Sequence, residues 1–392
     1  MRSRPHHSET DPADGALCDY ARLEAQMWAC GFQTLIATGH SNTIYLTGSI
    51  DTERWMRNPQ DLAVLLPVVS FPDRSFVVGG LGERPGFPAE VYACDMTLDA
   101  RLVKAAEEIK ARALDRGRIG IDLAYTPASS LHKLRQLLPE AKFVPADGLL
   151  AQMRSVKTAV EVERVRRAVS VSEQALRDVV QTVSVHAGMR YADLVTAWAV
   201  RVLERGAFPV LALPYDFVSQ ATRSFGLRSS DMCRYPARVE PGVVTRLDLG
   251  ACYKGYYGDQ KFAVCLGRPS DGALATFEAH LARQQYMRDV IRPGVTKSEV
   301  YARCSEEFAS AGGEGSLERY DFWVHGVGLD IHEEPRIGSA LALNSDLMAE
   351  VTFEVNTVVA LEASWLVEDL FIVEESGVAC LGSGMAQAII QF

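Results

Sequence analysis

The chain has 392 residues, with 40 Lys and Arg against 50 Asp and Glu, so its formal net charge is −10. Apolar residues make up 48% and charged residues 23% of the chain, and these globular values exclude a disordered protein, a collagen and a coiled coil. The acidic balance argues against general binding of nucleic-acid phosphates. The longest apolar stretch, Leu62 to Phe71, is too short to span a bilayer, so no membrane partner is expected.

The eight cysteines form neither a Cys-x-x-Cys pair nor a zinc-finger spacing. We therefore expect free thiols in a reducing compartment. The first fifteen residues lack the apolar core of a secretory signal, and residues 1–17 are predicted to form a disordered leader. Together these features predict a cytoplasmic protein.

The first half of the chain alternates strand and helix signals, which predicts an α/β N-terminal domain over residues 18–152. Runs rich in β-forming residues predict strands, and apolar residues at helical spacing predict helices. The predicted strands lie at 34–38, 42–46, 63–69, 75–78 and 119–121, and the predicted helices at 98–114 and 128–138.

The pattern changes near residue 152, so we assign residues 153–392 to a second domain. Helices are predicted from 158 to 183, over 194–202, and at 273–291 and 297–310, with strands between them. Thr296 and Glu299 form a capping box that starts the last helix. The strings 188–193 and 294–299 each follow one long helix and open the next, which is compatible with duplication and a site between two similar halves.

Asp248 and Asp259 are predicted on adjacent strands of a hairpin, with a turn around residues 252–255. Aspartate is disfavoured inside strands, so two of them beside apolar neighbours need a physical reason. The pair is compatible with a shared divalent cation, and equally with two exposed carboxylates at strand ends.

His325 and His332 lie seven residues apart in a glycine-containing segment and can share one side of it. Gly326 and Gly328 would permit a close approach of the backbone. A single histidine in such a place is commonly a structural hydrogen-bonding group, and this spacing does not itself specify a metal.

Glu362 ends one strongly apolar strand and Glu368 opens the next, so the two could face each other across a short hairpin loop. A carboxylate in an apolar strand is costly unless it is paired or bound to a metal. Four carboxylates with one imidazole suit Mn, Fe or Co, with zinc also compatible. They could supply two bridges between a pair of divalent metal ions.

At these residues the sequence resembles the creatinase, aminopeptidase P and prolidase family, whose metal ligands follow the chain order Asp, Asp, His, Glu, Glu. The resemblance implies an α+β C-terminal pita-bread (creatinase/aminopeptidase-like) catalytic domain behind the N-terminal domain. It implies that the metal ligands are Asp248, Asp259, His325, Glu362 and Glu368.

By the same resemblance, Asp248 holds one metal, His325 and Glu362 hold the other, and Asp259 and Glu368 bridge the two. Glu362 is then placed to accept a proton from the attacking water, and His332 to contact the substrate or the tetrahedral intermediate.

Several positions depart from the family pattern. Asp231 stands where the peptidases usually carry a histidine, Lys261 replaces a usual threonine, and Leu366 replaces an arginine. If Asp231 is correctly aligned, its carboxylate suits an ammonium or guanidinium group of the substrate. The alternative is an aspartate on a polar surface loop.

The family commonly pairs as homodimers, and residues 50–59 contain Trp55 and Arg57. These side chains could reach the partner's site and close on an anionic or planar substrate, or form a solvated surface turn. We expect a homodimer in which Trp55 or Arg57 reaches the partner's site.

The leading functional hypothesis is a dinuclear metallohydrolase that cleaves an amide-like C–N bond in a small polar, cationic substrate or a short peptide. One alternative is a non-hydrolytic lyase on the same metal site, similar to dimethylsulfoniopropionate lyase. The other is a catalytically silent binding module, against which the retention of all five ligand residues argues.

Overall fold

The computed structural model of the chain describes residues 15–48, 66–71, 74–79, 90–92, 97–216, 238–310, 322–338, 351–363 and 367–392. The chain divides into two compact units. The N-terminal unit comprises Met1–Arg154 and Thr158–Glu161, and the C-terminal unit comprises Ser155–Lys157 and Val162–Phe392. Within the predicted leader, residues 1–14 lie outside the described residues, and Leu17 is buried.

A mixed sheet forms the centre of the N-terminal unit. Its strands are β1 (Thr34–Ile36), β2 (Leu66–Val69), β3 (Phe76–Val78), β4 (Glu90–Tyr92), β5 (Gly117–Ile121) and β6 (Ala141–Pro145). They lie in the order β4-β3-β2-β1-β5-β6, with β1, β5 and β6 parallel and β2 antiparallel to both of its neighbours.

The helices of this region are α1 (Tyr20–Ala29), α2 (His40–Thr47), α3 (Leu98–Ala111), α4 (Ala128–Leu137) and α5 (Asp147–Ser155). Apolar residues of α3 and α4, such as Leu102 and Leu134, are fully buried against strand residues such as Ile36 and Val68. This layering follows from the alternation of strand and helix signals in the sequence.

The predicted strand at 42–46 is wrong, because this segment forms helix α2. The buried carboxylate of Asp122 accepts hydrogen bonds from the backbone amides of Thr38 and Gly39, both at 2.8 Å, and from Asn42 Nδ2 at 3.0 Å. Gly48, at a φ of 67°, ends the helix. This long-range cap at the helix N-terminus overrides the weak helix propensity of the β-branched residues inside it.

Replacing Asp122 with Ala should destabilise helix α2, because the change leaves the buried amides of Thr38 and Gly39 without an acceptor. We expect the N-terminal unit to lose about 3 kcal/mol of stability. Hydrogen exchange of the backbone amides between residues 38 and 47 measures the loss locally. The matched control is Asp99→Ala, at an exposed position in the first turn of α3. Equal protection from hydrogen exchange in the two variants would contradict the assignment of Asp122 as the cap of α2.

In the described part of the C-terminal unit, a larger, mainly antiparallel sheet packs with four long helices. The helices are α6 (Ala159–Thr182), α7 (Tyr191–Glu204), α8 (Asp271–Val290) and α9 (Lys297–Ser310). The strands are β7 (Phe208–Asp216), β8 (Val244–Tyr253), β9 (Tyr256–Tyr257), β10 (Gln260–Cys265), β11 (Phe322–Gly326), β12 (Glu333–Gly338), β13 (Val358–Ala363), β14 (Val367–Glu374), β15 (Gly377–Cys380) and β16 (Ile390–Gln391).

The main path of this sheet runs β12-β11-β13-β14-β10-β8-β7. Helices α6 and α7 build one apolar core with β8 and β10, in which Trp198 is fully buried. Helices α8 and α9 build a second core with β11, β13 and β14, in which Phe371 is fully buried. None of the helices that the structure describes is both long and apolar enough to cross a membrane.

The segments 188–193 and 294–299, which are similar in sequence, adopt the same local structure. Gly188 and Gly294 have φ angles of 84° and 86°, and each donates its backbone amide to a following segment, at Val239 and Phe353 respectively. The capping box forms as predicted, since the Thr296 amide lies 2.9 Å from Glu299 Oε2. The shared hydrogen-bond pattern supports an internal duplication of the helix–turn–helix unit.

Candidate metal centre

One row of paired residues crosses five strands of the C-terminal sheet. Asp248 on β8 pairs with Lys261 on β10, and Lys261 pairs with Glu368 on β14. Glu368 pairs with Glu362 on β13, and Glu362 pairs with Trp323 on β11. Because directly opposed residues project to the same face of a sheet, all five side chains share one face.

Asp259 and His325 extend this row on the same face. Asp259 lies two residues before Lys261, and His325 lies two residues after Trp323, so strand alternation brings both to the common side. His325 Nε2 is 3.2 Å from Glu368 Oε1 and 3.9 Å from Asp259 Oδ2. The structure thus brings all five predicted ligand residues together.

Together with His332, these five residues form three overlapping sets of potential metal ligands. The donor atoms within each set lie within 4.8 Å of one another. The sets are Asp248, Asp259 and Glu368; His325, Glu362 and Glu368; and Asp259, His325 and His332. Asp259, His325 and Glu368 each belong to two of the sets, so these three residues link the sets into one cluster.

His332 stands beside this cluster. Its ring centroid lies 4.7 Å from that of His325 and 4.6 Å from that of Trp323. The residue keeps an exposed surface, but desolvation of its ring and the adjacent His325 lower the pKa of His332 below its ordinary value. The side chain is therefore a neutral imidazole at the open side of the cluster.

The residues after His332 are anchored by two buried ion pairs. Glu333 Oε2 accepts from Lys157 Nζ at 2.9 Å, and Glu334 Oε2 accepts from Lys297 Nζ at 3.0 Å. Each pair is almost fully buried. Because a buried pair with good geometry is strongly destabilised when one partner is removed, these contacts fix the position of the turn.

Two glycines permit the close approach of this turn to β11. A Cβ atom at Gly326 would lie 2.2 Å from the backbone oxygen of Glu334, and one at Gly328 would lie 2.7 Å from Glu333 Oε2. The glycines noted in the sequence thus have a steric role, because any larger residue at 326 would push β11 and β12 apart.

Replacing Gly326 with Ala should therefore separate β11 from β12 and displace His325. We expect the affinity for Mn²⁺, measured by titration calorimetry, to fall about tenfold or more. Gly272→Ala is the control, because a Cβ there meets nothing within 4 Å and the site lies in helix α8. Unchanged affinity in a folded Gly326→Ala protein would refute the packing argument.

Lys261 lies inside the cluster. Its Nζ forms ion pairs with Glu362 Oε1 and, at 2.5 Å, with Glu368 Oε2, and its side chain is 3% exposed. Burial disfavours the ammonium, but the carboxylates of Glu362 and Glu368 outweigh that effect and raise the pKa of Lys261. The sequence identifies Lys261 as a departure from the family pattern but does not predict its place among the metal ligands. The signal in the sequence is its two-residue spacing from Asp259, because residues two apart in a strand project to the same face.

The four carboxylates experience unequal electrostatic environments. Burial raises the pKa of Asp248, and burial together with Glu368 and Asp248 raises the pKa of Asp259 well above its ordinary range. For Glu368, Lys261 and His325 outweigh burial and lower the pKa. Negative charge is therefore least compensated around Asp248 and Asp259.

The donor set fits a divalent cation. Oδ1 of Asp248 is buried and has no hydrogen-bond partner among the described residues, so it is available to a ligand. Carboxylate oxygens with one imidazole are the donors expected for Mn, Fe or Co. A divalent ion would be held by Asp248, Asp259 and Glu368.

The other predicted site residues, Asp231, Trp55 and Arg57, lie outside the described residues. Leu366 does so as well. Their roles stay predictions from the sequence.

Comparison with protein families gives two matches. Residues 163–383 match the model of metallopeptidase family M24, and residues 20–156 match the creatinase/prolidase N-terminal domain. Among curated proteins, the Xaa-Pro dipeptidase of Lactobacillus delbrueckii subsp. lactis is 26% identical over 247 residues, covering 60% of this chain and 62% of that protein. The Xaa-Pro dipeptidase of Pyrococcus furiosus is 23% identical over 251 residues, covering 60% and 65%. The matched region thus spans under two thirds of these relatives' length.

Solved structures show the same fold. The Xaa-Pro dipeptidase from Bacillus anthracis has a TM-score of 0.74 at 19% identity, covering 95% of this chain and 98% of that one. The X-Pro aminopeptidase from Thermotoga maritima MSB8 has a TM-score of 0.73 at 17% identity, covering 95% and 100%. These matches confirm the predicted fold class, an α/β N-terminal domain followed by an α+β pita-bread domain.

Proposed function

The chain belongs to metallopeptidase family M24, and we propose that it is a metal-dependent hydrolase of the aminopeptidase P and creatinase type. Its substrate would be a small polar molecule or short peptide with an amide-like C–N bond. The observation that carries the proposal is the buried cluster of four carboxylates in which Oδ1 of Asp248 has no hydrogen-bond partner within the described part of the chain. Such a cluster is costly without a cation, and it would bind and orient a divalent one.

The proposed metal ligands are the five residues of the cluster, namely Asp248, Asp259, His325, Glu362 and Glu368. The family resemblance implies two divalent ions, of Mn, Fe or Co, with zinc also compatible. A divalent ion at this site supplies a bound water of lowered pKa and polarises the scissile carbonyl.

Glu362 is proposed to accept the proton of the attacking water. Burial raises the pKa of Glu362, while the ammonium of Lys261 opposes this rise. The net upward direction of the pKa makes Glu362 more basic than an exposed glutamate, which is the property a general base needs.

His332 is proposed to contact the substrate. Its neutral ring, packed against Trp323 and His325, can donate a hydrogen bond to a carbonyl oxygen or a developing oxyanion. The ion pairs that anchor Glu333 and Glu334 would hold the ring in place.

Three further elements of the proposal rest on sequence. The relatives are named Xaa-Pro dipeptidases. We propose that Asp231 takes the place of the histidine usual in the peptidases, and that the substrate carries a positive charge near the reacting bond. We propose a homodimer in which Trp55 or Arg57 reaches the partner's site. We also propose a cytoplasmic location.

Replacing Asp259 with Ala should remove a ligand of the central cation. We expect metal affinity to fall about 100-fold or more and turnover to fall below detection. Metal retained after desalting, measured by mass spectrometry, checks the first effect. The control is Asp369→Asn, a buried carboxylate beside Glu368 that faces away and pairs with Gln260 at 2.9 Å. Equal metal retention in both variants would contradict the ligand assignment.

The reaction class is tested by incubating the metal-loaded protein, in isotopically labelled water, with Xaa-Pro dipeptides and with small amides that carry an ammonium group. Hydrolysis places the label in the carboxylate of the product and releases an amine or proline. A lyase would instead release an unsaturated product without label. Product formation without label would rule out the proposed hydrolysis.

A further inference from the structure

We propose that Lys261 serves as the second cation of this centre, so that the chain binds one divalent ion where the family resemblance implies two. This inference rests on the proposed function and refines its metal site. Lys261 is a positioning residue here, because the groups it contacts are Glu362 and Glu368 rather than the substrate.

Lys261 contacts two members of one set of potential metal ligands. His325, Glu362 and Glu368 would hold one of the two expected ions. Two of these three residues already form ion pairs with Lys261 Nζ. A metal bound to the same carboxylate oxygens would sit about 2.0–2.2 Å from them, in the space that the ammonium fills. The two cations would also repel each other strongly in a buried site.

The register of the sheet places the side chain of Lys261 among the carboxylates. Lys261 lies within the row, paired in register with Asp248 on one side and Glu368 on the other. The flanking strand residue Phe262 is fully buried on the opposite face. The side chain therefore projects into the carboxylate cluster as a direct result of strand alternation, and its ammonium is buried there with its partners.

Another set of potential ligands remains for a metal ion. Asp248 and Asp259 belong with Glu368 to this set, and Oδ1 of Asp248 has no hydrogen-bond partner among the described residues. Lys261 carries one positive charge against four carboxylates, so it does not neutralise the cluster alone. A divalent ion beside Asp248 and Asp259 would supply the remaining positive charge.

Glu368 would connect the two cations. Its Oε2 contacts Lys261, while its Oε1 lies 3.2 Å from His325 Nε2. In a two-metal centre this residue would bridge the ions, whereas here it would link the ammonium to the single ion. Lys261 would thus hold Glu362 and Glu368 in place as a metal would, without supplying a second open coordination position.

The test counts the bound metal. Purified protein is stripped with a chelator and reloaded with Mn²⁺, and bound ions per chain are measured by mass spectrometry. We expect one ion in the wild type and an electron paramagnetic resonance spectrum of isolated Mn²⁺. Lys261→Thr removes the charge and opens the space, so we expect two ions and the spectrum of an exchange-coupled pair.

The control is Lys104→Met, which breaks another lysine–carboxylate pair, with Glu108 at 2.6 Å in helix α3 of the N-terminal unit. It should still bind one ion. Two ions in the wild type, or one ion in folded Lys261→Thr, would overturn the inference and leave the proposed hydrolase standing. No bound ion in the wild type, with hydrolysis persisting, would overturn the proposed function as well. If Lys261→Thr does not fold, the wild-type count and spectrum decide.

Discussion

Mutual repulsion among four buried carboxylates is the constraint on which this site depends. Glu362 and Glu368 are direct cross-strand partners, an arrangement that is destabilising for like charges unless a cation lies between them. Lys261 reaches both residues from the neighbouring strand, and the cluster still has an excess of negative charge around Asp248 and Asp259. The sheet therefore has both a built-in cation and a place for a bound one.

The rest of the C-terminal unit holds this charged row rigidly. Two apolar cores, one with α6 and α7 and one with α8 and α9, are built on the strands that carry the row. The turn bearing His332 is held by the ion pairs of Glu333 and Glu334 and by the absence of a side chain at Gly326. Rigid placement keeps the ligand residues in position before a metal binds, and preorganisation of this kind favours electrostatic catalysis.

Much of this arrangement could be predicted from the sequence, because strand alternation and helical spacing are local signals. The facing of Glu362 and Glu368 across a hairpin is one example that the structure reproduces. Helix α2 could not be predicted in this way, since its cap comes from Asp122, far along the chain. Strand alternation could predict the face of the sheet on which Lys261 lies. Its contacts depend on the pairing of β10 with β14, which no local pattern specifies.

The most direct measurement is a crystal structure of the protein grown with Mn²⁺, in which anomalous scattering locates the metal. The account predicts one peak, bound by Asp248, Asp259 and Glu368, with the ammonium of Lys261 still between Glu362 and Glu368. Two peaks with the lysine displaced would show that a second metal takes its place. The complete absence of a peak would contradict the claim that this buried cluster is a metal centre.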